Sequence, residues 1–400
     1  MRIQLWTYNY DPEPQGIAPL STMLARALRD RGHTVQVVAA HPHYPEPVWG
    51  MQLKPYRELR DNIQVFRLPL WAGRSSRLER LRQELTFTVA QSVVAPLLPP
   101  ADILVATTPS FPALAPAMAI SRTRGIPWVM WLQDIVTDGA ATTGLLDGRL
   151  LAAARRFERA TYGSASRVVV ISDAFRLNLI EKGVAEDKIV RIFNPSTRGT
   201  NERNQMTRSR AKPPSLLAMG NIGHSQGLDR IVEAFQLDSE LLELDAQLII
   251  AGSGVAAEDV SAKITGGRVQ MRGVLYGQEL EPDLRGASLG IVSQRADVLE
   301  FNLPSKLMNY MAYGLPVLAS VCLGSETARI VEESGAGWVT DARHPEQFVA
   351  KAAEVLRDPA SLEGASKAGF NYARAHFTPR SVAERFEAVL EEVTFAAGSG

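Results

Sequence analysis

The chain has 400 residues, 46% of them apolar and 22% charged. This globular composition excludes disordered, collagen-like and disulfide-stapled classes, and the length suits two or three domains. One cysteine, Cys322, excludes an intrachain disulfide and argues against a cysteine-based metal site. The formal net charge is zero, but residues 1–200 carry 24 Lys and Arg against 17 Asp and Glu, and residues 201–400 carry 19 against 26. A front half of +7 and a back half of −7 suggest two domains with different partners, the basic one suited to an anionic membrane or ligand.

Met1 to Leu5 opens directly on a strand-like run, so no secretory leader is expected. Ile3 to Thr7 reads as a buried strand. Leu20, Met23, Leu24, Ala27 and Leu28 give helical spacing up to Arg31, and Gly32 stops it. Strands are expected at Thr34–Ala39, Gln64–Leu68, Ile103–Ala106, Pro127–Leu132 and Arg167–Ile171, with a helix at Ala113–Arg124. The alternation predicts a parallel sheet covered on both faces. Phe87 to Leu98 is the most apolar stretch, and it is too short to cross a membrane.

Residues 196–214 are polar and read as a linker after a first domain of residues 1–195. The pattern then restarts. Strands are expected at Ser215–Met219, Gln247–Ala251, Val269–Met271, Leu289–Val292 and Val317–Ala319, with a helix at Leu228–Phe235. This second domain runs over 215–378. Residues 379–400, with a helix at Ala383–Val393, form a closing segment expected to return to the first domain. The fold expected is α/β, with two Rossmann-like doubly wound domains facing a cleft at the carboxyl ends of their strands, where such sheets bind ligands.

Four segments could carry chemistry. Pro12 to Ile17 joins a strand to a helix, and Gly16 would let the backbone approach an anion at that helix start. An ordinary strand-to-helix turn explains it equally well. Gly220-Asn221-Ile222-Gly223-His224-Ser225-Gln226-Gly227 opens a helix as a phosphate cradle would, yet fits neither the dinucleotide nor the Walker pattern. Gly252-Ser253-Gly254-Val255-Ala256-Ala257 has the spacing of a dinucleotide fingerprint but follows the second strand of its domain. The next strand ends in Met271-Arg272-Gly273 rather than in an acid, which argues against a nicotinamide or flavin site. Finally, Pro304 to Ala319 runs from a loop through a helix into a strand. Lys306 near a helix start opposes the macrodipole unless an anion is bound there too.

Together these segments resemble the retaining, nucleotide-sugar-dependent glycosyltransferases of family 4, which have the GT-B fold. The residues carrying the resemblance are Tyr8 to Ile17, Arg31-Gly32-His33, Gly220 to Gly227 and Ala312-Tyr313-Gly314-Leu315-Pro316-Val317. Gln133-Asp134 and Pro304-Ser305-Lys306 are similar to the bacterial exopolysaccharide and O-antigen subgroup, including colanic-acid and heterocyst-polysaccharide transferases. The chain departs from the wider family at several positions. Phe301 and Asn309 stand where two glutamates eight positions apart are usual, with Glu300 one residue out of register. Asn221 and Gln226 stand where an Arg and a Lys are usual.

The resemblance implies transfer from a nucleotide sugar, UDP-linked by preference, to a glycan or lipid-linked acceptor in cell-surface polysaccharide synthesis, without an essential metal or cofactor. It places the base at Arg272, Gly273 and Val274 and the ribose near Asn309. The diphosphate falls among Gly16, Gly220, Asn221, Gly223, Gln226, Ser305 and Lys306. Lys306, Glu300 and Asp134 are the catalytic candidates. His41, His43 and Tyr44 are expected on the acceptor side; plain surface residues are the alternative, and two alternating histidines alone are weak evidence of a metal. A nucleotide-sugar 2-epimerase and a degenerate partner subunit are the rival functions. Arg74, Arg77, Arg80 and Arg82 precede an apolar helix, so segment 74–98 is read as an interfacial membrane contact or as a core helix with a solvated basic end. The expected location is cytoplasmic, at the inner membrane face. No nucleic-acid partner is expected.

Overall fold

The computed structural model describes residues 1–14, 16–44, 49, 52–73, 76–108, 110–135, 148–196, 213–275, 277–297 and 303–398. The chain divides into unit 1, Met1–Asn194 with Pro379–Gly400, and unit 2, Pro195–Thr378. Most of the 196–214 segment lies outside the described residues.

Unit 1 holds β1 (Arg2–Trp6), β2 (Thr34–Ala40), β3 (Tyr56–Arg60), β4 (Ile63–Leu68), β5 (Ile103–Thr107), β6 (Trp128–Leu132), β7 (Arg167–Val170) and β8 (Ile189–Arg191). They form one sheet in the order β3-β4-β2-β1-β5-β6-β7-β8, parallel except for β3. The central strands are buried on both faces, so they read as unbroken apolar runs. β3 and β8 escaped the sequence reading. β3 alternates half-exposed and exposed residues at the sheet edge, and Asp61 and Asn62, both left-handed, turn it into β4. Helices Arg77–Val94, Leu114–Arg124, Gly148–Ser164 and Asp173–Glu181 cover one face. Helices Ala18–Asp30 and Pro379–Gly398 cover the other. There Phe386 meets Trp131 edge-on at 5.1 Å, and Glu387 bonds His33 at 2.7 Å.

Unit 2 holds β9 (Ser215–Met219), β10 (Gln247–Ala251), β11 (Val269–Met271), β12 (Leu289–Ser293), β13 (Val317–Val321) and β14 (Gly337–Asp341). Their order, β11-β10-β9-β12-β13-β14, is the doubly wound order with its switch point between β9 and β12. These two strands pair only at Leu289–Leu216 and Gly290–Leu217. Beyond that Tyr310, from helix Ser305–Ala312, takes over. Its hydroxyl donates to Leu217 O at 2.9 Å and accepts from Met219 N at 3.0 Å. The ring crosses Gly290, where a Cβ would sit 2.6 Å from it. Full burial holds the phenol well above its usual pKa, so it stays neutral.

Tyr310→Phe keeps the ring and orphans two buried backbone groups at about 1–3 kcal/mol each. Urea denaturation is expected to show a loss of about 2 kcal/mol or more for this single oxygen, with an unchanged m-value.

Candidate donor and acceptor loops

In unit 2 the candidate residues collect at the carboxyl ends of the strands. The loop after β9 is zipped to the loop after β10: Gly220 N donates to Ala251 O, Ile222 N to Ser253 O and Ala256 N to Ile222 O, all at 2.9–3.0 Å. A Cβ on Gly252 would land on Gly220 O, and one on Gly254 would land on Ile222 O. The two glycines of the apparent dinucleotide fingerprint are therefore explained by backbone approaching backbone, with no ligand needed.

Gly227 is left-handed and ends the 220–227 loop at the start of helix Leu228–Leu237. The loop is also held from the segment after β12, where Arg295 N donates to Ser225 O at 2.8 Å. Lys306 occupies the first turn of helix Ser305–Ala312, which has no side-chain cap, and its Nζ donates to Gln226 Oε1 at 3.2 Å. Asn221, Ser305 and Gly220 are exposed around it. The structure thus gathers Gly220, Asn221, Gly223, Gln226, Ser305 and Lys306.

Arg272, Gly273 and Val274 follow β11, on the far side of β10. The guanidinium of Arg272 pairs with Asp283 at 2.9 Å, which aims it, while burial raises the Asp283 carboxyl above its usual range and Arg272 opposes this. Asn309 lies inside the unit, 6% exposed, and its Oδ1 accepts from Ser196 Oγ at 2.8 Å. Glu300 and Phe301 lie outside the described residues.

Two residues missed from the sequence stand out. Arg295 lies beside the loop, its Cγ 3.1 Å from where a Cβ on Gly227 would be. Its aliphatic stem runs past a loop whose own sequence has no cation where the family has two, and its Nε faces Asp297 Oδ1 at 3.4 Å. The other is Glu13 in unit 1, a buried carboxylate. Oε1 accepts from Asn9 Nδ2 at 3.0 Å, His43 N at 2.9 Å and Tyr44 N at 2.8 Å, while Oε2 accepts from Tyr10 N at 3.2 Å. One carboxylate thus joins the loop after β1 to the loop after β2. No local motif shows this, because two of the partners, His43 and Tyr44, lie some thirty residues away.

Gly16 is exposed and left-handed just before helix Ala18–Asp30, whose first turn has no side-chain cap. His41 and His43 are buried. His41 Nδ1 faces Gln52 O and His43 Nδ1 faces His41 O, at 2.8 and 2.9 Å. A carbonyl only accepts, so Nδ1 carries a proton in both rings. Burial lowers the His41 pKa, and its Nε2 has no partner among the described residues. Among those residues no three potential metal ligands converge. Asp134 is exposed after β6, its backbone N–H donating to the buried Thr108 Oγ1 at 3.2 Å. The surrounding protein raises its carboxyl above the usual range, partly offset by a bond from Ile135 N.

Two family models match the chain in tandem: a glycosyl transferase 4-like domain over residues 15–195 and glycosyl transferases group 1 over residues 213–358. The chain is a glycosyltransferase of the GT-B fold and of the family-4 type. It is 29% identical over 339 residues to a putative colanic acid biosynthesis glycosyl transferase, WcaI, of Escherichia coli, covering 78% of this chain and 82% of that one. It is 26% identical over 230 residues to a probable glycosyltransferase, WbjE, of Pseudomonas aeruginosa, covering 54% and 56%. Among solved structures, sucrose-phosphate synthase of Thermosynechococcus elongatus superposes with a TM-score of 0.70 at 16% identity, over 99% of this chain and 100% of that one. HepE of Anabaena, solved with UDP, gives 0.64 at 15% identity, over 98% and 100%. These families and relatives are transferases, and they lend the epimerase alternative no support.

Glu13→Gln keeps the shape but turns an amide nitrogen or a weaker acceptor toward four N–H donors. Amide hydrogen exchange at His43 and Tyr44 is expected to accelerate about tenfold or more, with Val37 in the middle of β2 unchanged.

Proposed function

We propose that this glycosyltransferase moves a sugar from a UDP-sugar to a glycan or lipid-linked acceptor in cell-surface polysaccharide synthesis, with retention of anomeric configuration. The observation that carries the donor side is the meeting of Lys306, at an uncapped helix start, with Gln226 of the glycine-rich loop. HepE, solved with UDP and with UDP-glucose, supports the choice of nucleotide. The name of WcaI supports the choice of pathway.

In this reading the diphosphate lies over the 220–227 loop, with Lys306 and Arg295 as its cations and Ser305 donating a hydroxyl. The base rests against Arg272, Gly273 and Val274. Acceptor contacts come from Asp134 and the Glu13-pinned loop of His41, His43 and Tyr44. Gly16 offers a further uncapped helix start to an anion. The acceptor oxygen bonds to the anomeric carbon as the bond from that carbon to the phosphate oxygen breaks. The acceptor proton passes to the leaving diphosphate on the same face. Negative charge grows on the diphosphate, so fixed cations there stabilise the transition state more than the ground state.

The first test is thermal unfolding with UDP, ADP, GDP and a panel of their sugars. A ligand at a hundred times its Kd adds ~2.7 kcal/mol when it binds only the folded state. A selective shift with UDP or a UDP-sugar is expected; no shift with any nucleotide would leave a degenerate partner subunit as the better reading. Lys306→Ala is expected to lower kcat/KM about a hundredfold or more, and Arg295→Ala about tenfold, with both variants folded.

Asp134 supplies a pH test. Its raised pKa means that the folded state disfavours the ionised form, so above that pKa the charge costs stability rather than adding it. Asp134→Asn is therefore expected to be neutral or stabilising at pH 7. If the carboxylate takes part in transfer, the acid limb of kcat/KM lies above the usual carboxylate value of about 4, and the variant loses that limb.

A further inference from the structure

Helix Arg77–Val94 is built inside out for a helix that meets only water. Gln83 and Gln91 are buried, at 2% and 1% exposure, facing the core with Phe87. Leu78, Leu81, Leu85, Val89 and Val93 face outward at three- and four-residue spacing, and Leu97 extends the row; all six are between 51% and 75% exposed. A continuous apolar stripe of this length marks an interaction surface.

Its surroundings define the partner. Helix Leu114–Arg124 packs beside it, and helix Gly148–Ser164 packs beside that one, in the same layer. Their exposed charges are Arg122, Arg124, Arg149, Arg155, Arg156 and Arg159, and Arg80 is exposed on the stripe helix itself. Among the described residues of these three helices no acidic residue is fully exposed: Glu79 and Glu84 are half-buried and Glu158 is buried. The opposite layer differs, with Arg31 paired to Glu384 and Glu387 of helix Pro379–Gly398. An apolar row beside a group of exposed arginines fits an anionic lipid surface. The row supplies the insertion and the arginines supply the headgroup contacts. No helix among the described residues is long and apolar enough to cross a membrane, so the contact is interfacial.

The same helix reaches the acceptor loops. Gln83 Nε2 donates to Tyr8 Oη at 2.8 Å, and the Tyr8 ring lies edge-on to both Phe87, at 4.9 Å, and His43, at 5.3 Å. We propose that helix Arg77–Val94 lies on an anionic membrane surface and sets the His41–Tyr44 loop beside it. Where the transfer reading above holds, the acceptor is then lipid-linked rather than a free glycan.

The test is flotation of the full chain with vesicles of phosphatidylcholine alone and of phosphatidylcholine with phosphatidylglycerol. Wild type is expected to float with the anionic vesicles and to be released by salt. Leu85→Glu with Val89→Glu is expected to lower the bound fraction about tenfold, and Arg155→Glu with Arg156→Glu to remove the preference for phosphatidylglycerol. Both double variants are expected to keep the wild-type melting shift with UDP, which shows them folded. Failure of wild type to bind anionic vesicles, or equal binding by Leu85→Glu with Val89→Glu, would overturn the proposal. So would a wild-type dimer on gel filtration that this variant splits while neither binds vesicles, since a second copy would then cover the face. Absence of a UDP shift in wild type would sink the donor assignment and leave the vesicle result standing.

Discussion

The hydroxyl of Tyr310 replaces a strand. At the switch point of unit 2 the strand order reverses, and β9 and β12 must part so that the loops leaving them run to opposite sides. Parting exposes Leu217 O and Met219 N to a dry interior, where an unpaired backbone group is costly. Tyr310 satisfies both with one oxygen. Helix Ser305–Ala312 is thereby held against the sheet, four residues after the lysine that meets the glycine-rich loop. Gly290 follows from the same arrangement, because the ring crosses its α-carbon. The position of Lys306 thus rests on a hydrogen-bond debt inside the sheet.

Unit 1 handles its switch point, between β1 and β5, with hydroxyls. Thr7 Oγ1 donates to Asn9 O, receives the Thr107 hydroxyl and meets Ser21 Oγ at 2.9 Å, tying both strand ends to helix Ala18–Asp30. Glu13 then collects the loop amides a few residues on. Both units use side chains to pair backbone near the switch point: Tyr310 the strand β9 itself, and Glu13 the loops after β1 and β2. Both leave an uncapped helix start nearby, at Ala18 and at Ser305. Uncapped N–H groups near glycine-rich turns are what anionic groups bind.

The strand pattern was readable because central parallel strands are buried on both faces and appear as apolar runs, as in Ile103–Thr107 and Trp128–Leu132. β3 and β14 were missed for the converse reason: edge strands such as Tyr56–Arg60 and Gly337–Asp341 are half wet and mix polar with apolar residues. The closing helix runs over Pro379–Gly398, longer at both ends than its apolar core of 383–393 suggests. The candidate loops were legible as glycine-rich turns. What each glycine serves was not, since Gly252 answers to Gly220 and Gly254 to Ile222 across a strand gap of some thirty residues.

The apparent losses of charge show the limit of reading motifs in line. Asn221 and Gln226 look like a donor loop stripped of its cations. In three dimensions the loop has basic neighbours from two other segments: Lys306 reaches Gln226 from a helix start, and Arg295, two residues past β12, lays its stem against Gly227 with Asp297 beside its guanidinium. Gln226 then has a use that a lysine could not fill, because a carboxamide oxygen accepts the Lys306 bond where a second ammonium would repel it. A linear comparison scores each position alone and records two losses. The electrostatics depends only on where the charges end up, so an exchange of positions between loop and helix can conserve the field at the loop while erasing the motif that announces it.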